Sequence, residues 1–173
     1  MLFRSATPLA GCRGPLFAGK AKLTVKRPTD PAKQQIAWKW GAGTATSIAD
    51  YGDPIHVTSY TLCIYDRGSL VKAIPVPAGG TCGTKPCWSQ NAKGFKWKSK
   101  AAATLQQLAL KPGANGAAQI QAKGKGAGVN PPALPFKLPV RVQLKQDSGA
   151  FCWEATYSFP AKNLGDLFSA KAD

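Results

Sequence analysis

The densest concentration of side chains suited to recognition chemistry is Lys93-Gly94-Phe95-Lys96-Trp97-Lys98-Ser99-Lys100. Lysine ammonium groups neutralise phosphate, sulfate or carboxylate, and flat aromatic faces stack on bases or sugar rings. Lys93, Phe95, Lys96, Trp97, Lys98 and Lys100 therefore form a candidate strip for an anionic polymer or a glycan. The stretch begins like the aromatic motif of an RNA-recognition sheet, but Lys96 and Lys98 stand where that motif needs small or apolar residues. A plainer reading competes. Phe95 and Trp97 alternate with lysine at the period of a strand, which would place the rings in a core and the ammonium groups in water.

Groups for turnover are sparse. His56 is the only histidine and Glu154 the only glutamate, so acid–base or triad catalysis has little to draw on, and no enzyme, cofactor or metal is expected. Asp50 and Asp53, with Asp66 or Asp147, could offer oxygens to calcium, but no calcium-loop spacing is present and turn capping accounts for them. Gly124-Lys125-Gly126-Ala127-Gly128 imitates a phosphate loop without its Lys-Ser/Thr ending or a following helix, and reads as a flexible loop.

Five cysteines against a single histidine favour disulfides over zinc. Cys82 and Cys87 bracket a short Gly- and Pro-containing turn that a local bridge could close. Cys63 and Cys152 each point away from the stronger apolar face of their strands, which argues against a core-centred cystine. They could form a cross-strand bridge on an outer face, or Cys12 could bond to either one and pin the leader over that face. An odd count leaves a thiol over unless a second chain supplies a partner. A catalytic cysteine would need a base, and only His56 is available.

The chain of 173 residues suits one domain. Its net charge of +15 attracts polyanions, and its 44% hydrophobic content is too high for a disordered basic tail. Residues 1–19, rich in Gly, Pro and Ala, read as an extended leader or targeting segment ahead of a single domain over 20–173. Leu9-Ala10-Gly11-Cys12 has the order of a lipoprotein cleavage box, but the apolar run that must precede it is missing. The acid-free, Arg-containing start also suits an organelle presequence. No run reaches the length of a membrane helix, so no transmembrane segment is expected.

The positioning elements are strands. Val57–Asp66 reads as the central strand, and Phe151–Phe159 as its best partner, with Phe151, Trp153, Ala155, Tyr157 and Phe159 on one face. Leu23 and Val25 alternate with lysines, and Ile36, Trp38 and Trp40 continue as the second arm of a hairpin. Leu70–Val76, limited by prolines, suits an edge. Leu105–Leu110 and Ala117–Lys123 make a second hairpin, Gly124–Pro139 a long loop, and Leu138–Lys145 with Phe151–Phe159 a third hairpin. Asn163–Phe168 reads as one helical turn before a loose end. Eight or nine short strands without an amphipathic helix predict an all-β fold, an antiparallel β-sandwich with a barrel as the alternative.

The stretch from Gly79 to Trp88 with its two cysteines, together with Trp38-Lys39-Trp40, the Cys63 strand and Cys152-Trp153-Glu154-Ala155-Thr156-Tyr157, resembles uncharacterised Cys-containing β-rich modules of predicted exported bacterial proteins. The resemblance spans Cys12 to the end and implies an extracellular location with no stated activity. The expectation is a non-catalytic extracellular structural or adhesion module, exported, and self-assembling through its leader with other copies or other extracellular proteins. The alternative is a polyanion- or carbohydrate-binding module using the Lys/aromatic strip.

Overall fold

Alternation of apolar and polar side chains underlies this architecture: most strands bury one face, while Tyr60–Asp66 and Val140–Gln146 are buried on nearly all of both. The computed structural model describes residues 5–101 and 105–173; the start of the leader lies outside them. The strands are β1 Ala21–Lys26, β2 Gln35–Gly43, β3 Tyr60–Asp66, β4 Ser69–Val76, β5 Thr81–Cys82, β6 Lys85–Pro86, β7 Trp88–Asn91, β8 Gly94–Lys98, β9 Gln107–Lys111, β10 Ala118–Lys125, β11 Val140–Gln146, β12 Cys152–Tyr157, β13 Lys162–Asn163 and β14 Leu167–Lys171. They form an eight-stranded sheet, β13-β14-β1-β2-β10-β9-β8-β7, and a four-stranded sheet, β12-β11-β3-β4, with β5-β6 a separate small hairpin. Every pairing within the two sheets is antiparallel. The fold is thus the expected sandwich and not a barrel: the large sheet ends at β13 and β7.

The inner faces meet in a core dominated by aromatics, including Trp38, Trp40, Trp153, Tyr60, Tyr157 and Phe168, all at most 1% exposed. Each of the five indole N–H groups has a partner, as a buried donor requires. Trp38 donates to the Tyr157 hydroxyl at 2.9 Å and Trp40 to the Glu154 carbonyl at 3.0 Å, tying the large sheet to the small one. Trp88 and Trp97 donate to the Pro77 and Leu105 carbonyls, and Trp153 to the Thr46 hydroxyl.

Several details depart from the sequence-based expectation. The central strand starts at Tyr60, not Val57, because the Asp53 carbonyl captures the N–H groups of His56, Val57 and Thr58 in a turn that leaves Val57 exposed. β12 is not the neighbour of β3: β11 lies between them, paired to both. Phe159 falls beyond β12 and is 87% exposed. The C-terminal segment is neither helical nor loose. Phe168, Ala170 and Ala172 alternate into the core, and β14 pairs with β1 over its whole length.

Residues 5–19 are joined to the body. Arg13 bridges to Trp153 of β12 and Pro15 to Gly43 of β2, so this stretch crosses from the edge of the small sheet to the large one.

Candidate anion-binding face

The sequence strip divides as a strand must. Phe95 and Trp97 are buried at 5% and 3% exposure, with Trp97 packed 5.6 Å from Trp88, so neither ring can stack on a ligand. Lys96 and Lys98 point outward from β8, Lys93 sits in the β7–β8 turn, and Lys100 lies past the strand end. The strip is therefore the margin of a larger feature, the outer face of the eight-stranded sheet.

Sheet register assembles that face. Lys171 of β14 stands opposite Lys22 of β1, and Lys22 stands opposite Lys39 of β2, giving ammonium-bearing positions on adjacent strands about 4.8 Å apart. The same cross-strand row continues through Gln121 and Ala109 to Lys96. The next row runs from Thr24 through Ala37, Lys123 and Gln107 to Lys98, and a third joins Lys26, Gln35 and Lys125. Between the first two rows lies a shallow notch of about 360 Å³, where small Thr24 and Ala37 sit among Lys22, Lys39, Lys123 and the amides of Gln107 and Gln121.

No strand of this sheet contains Asp or Glu. Among the described residues the ion pairs are Arg13–Asp50, Lys33–Asp30, His56–Asp53 and Arg141–Glu154, none with a lysine of the face. Asp166, beside Lys26 and Lys125, is a carboxylate at its margin. The face can hold anions along rows of charge and hydrogen-bond neutral hydroxyls through its glutamines; Trp38, which lines the notch, is 1% exposed, so among the described residues of these strands no ring is open for stacking. A strand-by-strand reading finds the alternating lysines, but not that register brings Lys171, Lys22 and Lys39 together.

The other candidate groups are scattered. His56 Nδ1 lies 2.7 Å from Asp53 in an exposed loop. Asp50 meets Arg13 at 2.8 Å; burial pushes its carboxyl up, but hydrogen bonds from Arg13 and Ser47 outweigh that and hold it below its ordinary value. Among the described residues no group of three His, Cys, Asp or Glu is placed to hold a metal ion, and no helix is long and apolar enough to cross a membrane.

Cys82 and Cys87 form the expected local disulfide, and Cys12 bonds to Cys152, pinning the leader. Cys63 lies outside both disulfides. With β11 between their strands, Gln143 stands opposite Cys63 and Lys145 opposite Cys152, so a Cys63–Cys152 bridge is out of reach. Two formed disulfides indicate an oxidising environment.

Comparison of the chain with models of known protein families, with curated proteins and with solved structures found no match. The functional reading therefore rests on geometry.

Proposed function

We propose that the protein is a non-catalytic, exported attachment module that holds an anionic polymer on the outer face of its eight-stranded sheet. The observation that carries this reading is the register of Lys171, Lys22 and Lys39 in a sheet whose strands contain no carboxylate. Like charges directly opposite one another across strands are destabilising. A row of them without counter-acids is a cost to the isolated fold that a bound polyanion removes. Since the face carries no exposed ring, recognition rests on charge and amide hydrogen bonds, which favours an acidic polysaccharide over single-stranded nucleic acid read by stacking. The disulfides suit an extracellular location.

The test replaces Lys22, Lys39, Lys123 and Lys171 together by Gln and measures binding to heparin, a polyuronate and single-stranded DNA over a salt series. Exposed charge pairs contribute about 0.2–1 kcal/mol each, so affinity for the polysaccharides should fall about 10- to 100-fold. The salt dependence should flatten as fewer counterions are displaced. Affinity equal to that of the unmodified protein would end the proposal.

A further inference from the structure

The outer face of the four-stranded sheet has a different character. Cys63, Tyr65, Gln143 and Lys145 project from it, polar or ionisable yet at most 1% exposed. Lys145 donates to the Tyr65 hydroxyl, and burial lowers the lysine pKa and raises that of the tyrosine. Across this face lies the leader, of which residues 5–13 include none that is itself buried.

The sheet holds the leader mainly by its backbone. The Gln143 side chain clamps one residue from both sides: its Nε2 donates to the Leu9 carbonyl at 2.8 Å, and its Oε1 accepts from the Leu9 N–H at 2.9 Å. A further Gln143 bond, to Glu154 at 2.7 Å, fixes the amide. Tyr65 donates to the Ser5 carbonyl at 3.1 Å and the Leu70 N–H to that of Ala6 at 3.2 Å. At the β12 edge, Arg13 donates to the Cys152 carbonyl and accepts from the Glu154 N–H, both at 2.8 Å. The leader is thus held across the sheet face by groups that bond its backbone, with one parallel bridge at the β12 edge through Arg13, and is completed by the Cys12–Cys152 disulfide.

We infer that this face is an exchangeable docking site and that the leader of a second copy takes it in trans, with Cys12 of one copy bonded to Cys152 of the next. Every copy carries both halves of the interaction, so a receptor for its own leader receives a neighbour's equally well. Exchange must also release the bonds from the Leu16 N–H to the Ala42 carbonyl and from the Thr44 N–H to the Gly14 carbonyl, which hold residues 14–16 against the end of β2; Leu16 and Phe17 are 43% and 61% exposed, apolar side chains for a neighbouring copy to cover, and Gly19 turns with φ +75°. Exchange needs a small thiol as catalyst and no net oxidant. Its thiolate attacks the Cys12 sulfur, forming a mixed disulfide and releasing the Cys152 thiolate; a Cys152 thiolate then attacks the Cys12 mixed disulfide of another copy and expels the small thiol.

The test mixes full-length Cys12→Ser with full-length Cys152→Ser in a buffer of reduced and oxidised glutathione, the oxidised form taking up the two electrons that joining two thiols releases, quenches by alkylation and analyses the products without reduction. In this mixture a Cys12–Cys152 bond can form only between copies. The expected result is a covalent heterodimer whose linked peptides contain Cys12 and Cys152. Gln143→Ala in the copy that retains Cys152 should slow its formation about tenfold, since two hydrogen bonds are lost, whereas Gln143→Ala in the other copy should not. Absence of the heterodimer, linkage mainly through Cys63, or indifference to Gln143 would overturn the inference. As a measurement free of substitutions, isotopically light and heavy wild-type protein incubated together in the same buffer should yield mixed-label Cys12–Cys152 peptides; exclusively same-label pairs would overturn it equally.

Discussion

At the scale of single residues, the bond from Trp38 to the Tyr157 hydroxyl ties the two layers, because it satisfies a buried indole donor with a group from the opposite sheet. Tyr157→Phe conserves the ring volume but leaves that N–H without its acceptor. We expect a loss of about 1–3 kcal/mol in urea unfolding, with secondary structure intact by circular dichroism; an unchanged midpoint would mean that the bond contributes nothing. Residue-scale readings from the sequence succeeded where a local rule was sufficient. The division of Phe95 and Trp97 from Lys96 and Lys98 follows from alternation alone. They failed where a distant or nonperiodic contact decides, as at Val57, whose β-branched side chain favours a strand while its N–H is drawn into the Asp53 turn, 2.9 Å from the carbonyl.

At the scale of elements, the hairpins were legible because turn residues and alternation occur together. β14 was not: Leu167–Lys171 is too short to show its period convincingly, and only pairing with β1 makes it a strand. Cys12 was legible as a partner of an outer-face cysteine, but residues 5–19 were not legible as a stretch crossing between sheets. Its disulfide allows a quantitative comparison. Cys12–Cys152 spans 140 residues of sequence, and Cys82–Cys87 spans 5. In the chain-entropy account the long closure contributes about 5 kcal/mol and the short one about 2 kcal/mol. Cys12→Ser should therefore lower stability well beyond Cys82→Ser in denaturant titrations monitored by tryptophan fluorescence. Equal losses would show that the leader disulfide constrains the unfolded chain no more than a local loop does.

At the scale of the whole molecule, charge and topology act against each other. A chain at +15 repels itself, and the large sheet concentrates part of that charge on one face instead of interspersing it with acids. If those lysines were merely solvated outer positions, neutralising one would change stability little under any condition. The register gives a different expectation for Lys22, which stands between Lys171 and Lys39 on the two flanking strands. Removing its charge relieves two cross-strand repulsions, each worth about 0.2–1 kcal/mol at low ionic strength. Near 1 M salt the Debye length falls to about 3 Å, shorter than the strand spacing, and the repulsion is screened. Lys22→Gln should therefore be more stable than wild type by about 0.5–1 kcal/mol at low salt and indistinguishable from it at high salt. A saturating polyanion should narrow or close the low-salt gap, because wild type gains more binding free energy from the native state's ligand than the variant does. Thermal unfolding of both proteins at low salt, at high salt and with heparin checks all three arms. A difference between the proteins that salt and heparin both leave unchanged would show that Lys22 acts through strand propensity and not through the charge of the face.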